Sequence, residues 1–163
     1  MKKRFYLIAL FFLLCYSAEA KVRVINGNNL EIDGMRFFLE GMDAPKYKQQ
    51  CLNRHGEEYR CGKAAIKYLE KIVQGKEVRC DLLRVDKYER AMSVCYAGEA
   101  NVALEMIKAG WAVAYDRGNK AFVEAEQEAK AAQKGMWQGK FMRPEFYRVL
   151  NPYKPKEIPS KQQ

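Results

Sequence analysis

Between Val22 and Leu39 apolar residues alternate with polar ones: Val22 and Val24, then Leu30 and Ile32, then Phe37 and Leu39. A period of two marks half-buried strands. Asn26-Gly27 and Asp33-Gly34 interrupt the alternation with dipeptides that favour tight turns. The segment therefore predicts a meander of three short strands. Residues 47–60 are polar and without a period, which predicts a loop tied down by its cysteines. From Cys61 the period becomes helical, with Ala65, Tyr68, Leu69 and Ile72 on one stripe and Gly75 at its end. Residues 77–84 and 91–97 predict a hairpin. Asn101 is placed to cap a helix running to Lys108, with Val102, Met106 and Ile107 apolar and Gly110 as the stop. Trp111 to Tyr115 is a short apolar run, strand or extended. Residues 121–134 are helical again, with Phe122, Ala125, Ala129 and Ala132 inward and Gly135 after the last turn. Five or so strands interleaved with about three helices predict an α+β fold, a small five-stranded barrel with helices packed on it.

The first twenty residues stand apart from this pattern. Lys2, Lys3 and Arg4 precede the apolar run FYLIALFFLLCY, and Ala18-Glu19-Ala20 supplies small residues in the spacing of a signal-peptidase site. The run is short for a span of roughly 20 residues. Residues 1–20 are thus expected to be a signal peptide, 21–150 the folded domain, and the Pro- and Lys-rich segment 151–163 a disordered tail. A secreted or periplasmic monomer without a stable membrane anchor is the expectation.

Charge changes the picture only in part. The chain carries +9, and losing Lys2, Lys3, Arg4 and Glu19 with the leader leaves 26 basic against 19 acidic residues, or +7. Such a protein is drawn to phosphates, acidic polysaccharide or anionic headgroups, and charge alone does not choose among them. Cys15 leaves with the leader, so Cys51, Cys61, Cys80 and Cys95 remain. Four cysteines allow three pairings, and an exported chain favours disulfides over a zinc site, because CxxC is absent and His55 is the sole histidine. Cys80 and Cys95 flank the turn at Asp86–Glu89 almost symmetrically, which pairs them across the hairpin and leaves Cys51 with Cys61.

Several ordered motifs then coincide. They are Asn26-Gly27-Asn28-Asn29-Leu30, Phe38-Leu39-Glu40-Gly41-Met42-Asp43-Ala44-Pro45-Lys46, Asp86-Lys87-Tyr88-Glu89-Arg90, Gly110 to Tyr115, and Gly135-Met136-Trp137. Over roughly residues 22–148 the chain resembles the thermonuclease family, the staphylococcal-nuclease-like OB-fold. The resemblance implies hydrolysis of DNA and RNA phosphodiesters with one calcium ion, two aspartates on the ion, a glutamate at the attacking water and two arginines on the phosphate. Hard cations need carboxylate oxygens, transition-state charge needs fixed cations, and water needs a base.

Residue by residue, the carry-over is incomplete. Asp43 and Arg90 keep the family's type. Asn28 stands where the first metal aspartate is expected, Phe38 where the first phosphate arginine is, and Lys46 where the glutamate is. Lys87, Tyr88 and Tyr115 match positions the family uses around the nucleotide. Arg36, two residues before Phe38 on the same strand face, is a candidate to reach the phosphate from further along. No residue replaces the glutamate. Asp43, Lys46 and Arg90 sum to +1 without an ion, so no metal is expected and Asp43 is a vestigial ligand. The favoured reading is a protein that binds nucleic acid or another polyanion through Lys46, Lys87, Tyr88, Arg90 and Tyr115, with lost or weak hydrolysis. A working calcium-dependent nuclease and an envelope interaction module are the alternatives.

Overall fold

β1 (Val22–Asn26), β2 (Asn29–Ile32) and β3 (Met35–Leu39) form the antiparallel meander that the alternation predicts, with Val24 opposite Leu30 and Leu30 opposite Phe37. The computed structural model describes residues 20–152; residues 1–19 of the predicted leader and the tail beyond Pro152 lie outside the described residues. Asp33 and Gly34 both take positive φ, 50° and 85°, as the tight turn between β2 and β3 requires. Gly27 works differently from the turn glycine expected. Its φ is not positive, and a Cβ there would stand 2.9 Å from Ala44 Cβ and 3.2 Å from Ala65 Cβ. Glycine is needed at this position for close approach.

Two short strands follow, β4 (Met42–Asp43) and β5 (Cys51–Leu52). β5 pairs with β6 (Glu58–Tyr59), so the expected loop 47–60 contains a two-residue ladder. α1 (Cys61–Val73) buries Ala65, Leu69, Ile72 and Val73 and packs on β1. β7 (Val78–Val85) and β8 (Ala91–Ala97) make the predicted hairpin, and β9 (Ala100–Asn101) turns back to pair antiparallel with the end of β8. α2 (Val102–Lys108) starts at Asn101, whose side chain accepts the Leu104 N–H. β10 (Val113–Ala114) settles the apolar run as a strand, and α3 (Lys120–Ala131) is capped by Asn119. A 3-10 turn at Gly135–Gln138 precedes α4 (Pro144–Leu150).

The main sheet runs β1-β2-β3-β8-β7, with β3 and β8 parallel and the other neighbours antiparallel. Five principal strands and helices on the sheet give the expected α+β, OB-like architecture. The hydrogen-bonded path does not return from β7 to β1 among the described residues, so the sheet is not a closed barrel. Leu30, Leu69, Met106 and Ile107 are fully buried at its centre. A second cluster joins Cys51, Cys61, Val113 and Met136 beneath Trp111 and Trp137. Both disulfides form as expected: Cys80 and Cys95 sit directly opposite each other in β7 and β8, and Cys51–Cys61 ties the β5–β6 ladder to the start of α1.

α4 is the element that periodicity misses. Only Pro144 is buried in it, while Phe146, Val149 and Leu150 face outward. Its seven residues are too few for a helical period to stand out, although Phe146, Val149 and Leu150 do fall at i, i+3 and i+4.

Gly62 fixes the chain after β4 against α1. A Cβ at this position would stand 1.8 Å from the Lys46 carbonyl oxygen. Helix propensity alone favours alanine over glycine by about 1 kcal/mol. Gly62→Ala is nonetheless expected to destabilise the fold by about 3 kcal/mol, the upper end of overpacking costs. Urea unfolding reads the difference, and an unchanged or raised midpoint would show that the Lys46 segment yields freely.

Candidate anion-binding cleft

The segment after β3 turns at Gly41 and enters β4, where Asp43 pairs with Val113 of β10. Tyr115 and Asp116 donate their backbone N–H groups to the Gly41 carbonyl at 2.9 and 3.0 Å. Asp43 is thereby held on a short, buried strand rather than on a free turn. Beside it opens a cleft of about 850 Å³, walled by the end of β3, the β7–β8 hairpin tip and Arg148 of α4. Asn28, Phe38, Asp43, Lys46, Arg90 and Arg148 all line it. Lys87, Tyr88 and Tyr115 stand there too, so the structure brings together the residues singled out in the sequence. Arg36 does not join them; it lies opposite Glu31 in the β2–β3 register, outside the cleft lining.

The hairpin tip is built around one carboxylate. Asp86 Oδ1 accepts the backbone N–H groups of Tyr88 and Arg90 at 2.9 and 3.0 Å. Its Oδ2 takes Arg90 Nε at 2.7 Å and Nη2 at 2.5 Å. The Arg90 contact, with the two N–H donors, holds the Asp86 carboxyl down at about 2. Its folded value lies below the unfolded one, so this contribution to stability is present above the ordinary aspartate range and fades as pH falls toward 2. Glu89 completes the turn at φ 59°, a left-handed conformation that glycine would adopt more readily. Arg90 lies between two rings, 5.1 Å from the Tyr88 centroid and 5.4 Å from that of Phe38. Phe38, at the place of an expected arginine, thus packs on Arg90 instead of repelling it. Tyr88 and Tyr115 are each 65% exposed, and Tyr88 carries Lys87 Nζ as well as the Arg90 guanidinium over its ring.

Asp43 is where the structure departs most from the sequence reading. Its side chain is only 5% exposed, and Arg148 Nη1 donates to Oδ1 across 105 residues of sequence. Oδ2 is buried without a hydrogen-bond partner. Burial pushes the Asp43 carboxyl above the usual aspartate range, against the pull of Arg148 and Lys46, with Glu145 adding to the rise. The folded chain therefore holds this proton more tightly than the unfolded one. Its contribution favours folding below the ordinary aspartate value and is lost as pH rises through the raised one. Lys46 lies exposed near the pair. Partial desolvation, then Arg148, and then Arg90 hold its ammonium below the usual lysine range, while Asp43 acts in the opposite sense.

The charge sum read from sequence, with Asp43, Lys46 and Arg90 alone, was therefore incomplete. Lys46, Arg84, Lys87, Arg90 and Arg148 face the cleft against Glu40, Asp43 and Asp86. Arg84 is engaged by Glu40 at 2.9 Å at the rim. The sequence offered a faint signal for α4: Pro144 at a helix start, Glu145 in the first turn and Arg148 in the last. Nothing in the sequence pointed Arg148 at Asp43.

Calcium, implied by the resemblance, is a poor match to these donors. It takes six to eight oxygens, with carboxylates prominent among them. Here one aspartate supplies a single free oxygen, its other oxygen holds a guanidinium, and an ammonium stands where a carboxylate is expected. No three His, Cys, Asp or Glu residues are grouped to hold an ion among the described residues.

A family model described as staphylococcal nuclease homologue matches residues 36–139. The matched stretch includes Phe38, Asp43, Lys46, Arg90 and Tyr115, and excludes Asn28 and Arg148. Among curated proteins, the chain is 35% identical over 117 residues to the succinoglycan biosynthesis protein ExoI of Rhizobium meliloti (strain 1021), covering 70% of this chain and 61% of that protein. It is 30% identical over 118 residues to the probable endonuclease LCL3 of Schizophyllum commune, covering 61% and 39%. It is 33% identical over 78 residues to an uncharacterized endonuclease of Haemophilus influenzae, covering 47% and 44%. The chain thus spans from 39% to 61% of the length of these relatives.

Proposed function

The chain belongs to the staphylococcal nuclease homologues, and on that basis we propose that it binds single-stranded nucleic acid or a similar polyanion with little or no hydrolysis. One observation carries this reading: the cleft keeps cations and aromatic faces, whereas its single buried carboxylate is paired with Arg148. Single strands are held by cations that follow the backbone and by rings on which bases stack. Arg90 and Lys87 supply the former in this reading, and Tyr88 and Tyr115 the latter. Hydrolysis needs a base at the attacking water, and Lys46 stands where that base is expected. A protonated ammonium cannot accept the proton. The relatives include proteins named as endonucleases and one named for succinoglycan biosynthesis, and the binding proposed here assumes neither activity. The two disulfides support an oxidising destination. We place the protein, as a monomer without its leader, in the periplasm or outside the cell.

Arg90→Ala tests the binding. Affinity for a single-stranded oligonucleotide should fall, and the slope of log affinity against log salt should flatten by about one phosphate contact. Unchanged affinity and slope would place the contact elsewhere. Denatured DNA incubated with calcium and with chelator tests the hydrolytic side, and efficient calcium-dependent cleavage by the native chain would establish the nuclease alternative.

A further inference from the structure

We propose that Arg148 is the resident cation of this cleft, its guanidinium standing at Asp43 in place of a divalent ion, so that Lys46, Arg90 and Arg148 take up a phosphate ester without metal. The inference rests on the binding function proposed above and names how its charge is supplied.

Three features support it. First, Arg148 Nη1 is seated on Asp43 Oδ1, yet its side chain keeps 33% of its surface exposed and lines the cleft. A guanidinium carries five N–H donors in a rigid fork, so the contact with Asp43 leaves others for an anion. Second, α4 is held in a way that aims this residue. Arg143, at its start, joins Glu126 of α3 at 3.1 Å and Glu145 at 2.6 Å, and Glu126 also takes Arg117 at 2.5 Å. Gln49 Nε2 donates to the Met142 carbonyl at 2.7 Å, and Pro144 is buried. These contacts fix the helix although its apolar side chains face outward. Third, three cations converge on one space. Lys46, Arg90 and Arg148 line the same cleft, and Lys46 feels both arginines against the opposing pull of Asp43, with no ion pair of its own among the described residues. Like charges held together repel, and an anion placed among them relieves that repulsion while gaining charge-assisted hydrogen bonds.

In a metal-centred site Asp43 would be indispensable, because it would hold the cation. With Arg148 as the cation, Asp43 only seats the guanidinium and subtracts charge. The two arrangements therefore predict opposite signs for one substitution. A terminally phosphorylated oligothymidylate, titrated against the purified protein in chelator, is the probe. The native chain should bind it equally with calcium and without. Arg148→Gln should weaken binding at least tenfold, Arg148→Lys should retain most of it, and Asp43→Asn should leave it equal or tighter. Thermal unfolding of the native chain should not shift with millimolar calcium. Binding that needs calcium, that survives Arg148→Gln, or that is lost with Asp43→Asn overturns the inference while leaving the binding function in place. Absence of binding by the native chain under both conditions overturns both. A calcium-induced rise in melting temperature overturns the inference independently of any oligonucleotide. Should Arg148→Gln fail to fold, the sign for Asp43→Asn and the retention by Arg148→Lys still decide.

Discussion

Introducing Asn28→Asp, Phe38→Arg, Lys46→Glu and Arg148→Ala together should give calcium-dependent cleavage of denatured DNA at least about 10²-fold above the native chain, since a general base alone contributes roughly 10²- to 10⁴-fold. The first three changes restore the residue types that the family resemblance assigns to the ion, the phosphate and the attacking water. The fourth follows from the structure. While Arg148 sits on Asp43 Oδ1, an ion approaching that carboxylate meets a guanidinium already in place. Removing Arg148 frees Oδ1 beside the already unpartnered Oδ2, and Lys46→Glu turns a repulsive neighbour into a donor. Phe38→Arg also removes a ring that packs 5.4 Å from the Arg90 guanidinium, and the phosphate must then offset the new repulsion between two arginines. Groups acting as a unit recover little singly. The triple variant that retains Arg148 should therefore stay near native activity. Equal cleavage by the triple and quadruple variants would show that Arg148 does not obstruct the ion. Comparable cleavage by the native chain would overturn the degenerate-site reading itself.

Reducing both disulfides should cost the fold about 6 kcal/mol, on chain-entropy grounds. The bridges close loops of sequence separation 10 and 15, each worth about 3 kcal/mol. Against a total stability of roughly 5–15 kcal/mol for an ordinary domain, that loss brings the chain to the edge of unfolding. Urea titrations with and without reductant, beside the paired Cys→Ser variants, measure it. The two bridges should also differ in what they protect. Cys51–Cys61 anchors the segment whose Gln49 side chain accepts the Lys46 backbone N–H, so its removal should loosen the cleft. Cys80–Cys95 braces the hairpin away from Lys46. A midpoint unmoved by reductant would assign the stability to the core alone.

Local chemistry explains why so much of this fold was legible. The meander, the hairpin, the helix capped by Asn101 and the cysteine pairing each depend on residues near one another or placed symmetrically about a turn. Candidate residues on those elements met at one cleft because the resemblance fixed their order along the chain. What escaped was non-local. Arg148 reaches Asp43 from a helix with no buried stripe, and its orientation depends on a carboxylate of α3 that reads in sequence as ordinary helix charge. The turn at Gly27 forms as expected, but the reason for its glycine is also non-local: it answers to Ala44 and Ala65, which sequence does not place beside it.

The parallel pairing of β3 with β8 bears on the order in which the cleft can come into being. Each of its flanks is locally closed, the meander through two turns and the β7–β8 hairpin through one. The register from Phe37–Ala91 to Leu39–Ser93 must wait until α1 and its connections have been gathered between them. Such long-range closure is slow, because the entropy of the intervening chain is lost before any contact repays it. Phe38 and Arg90 lie at this joint, one on each side. Partial opening there would part the cleft's walls while both flanks kept their own hydrogen bonds. A molecule held between those walls would bridge this long-range joint of the sheet, so its binding would add to the stability of the β3–β8 pairing itself.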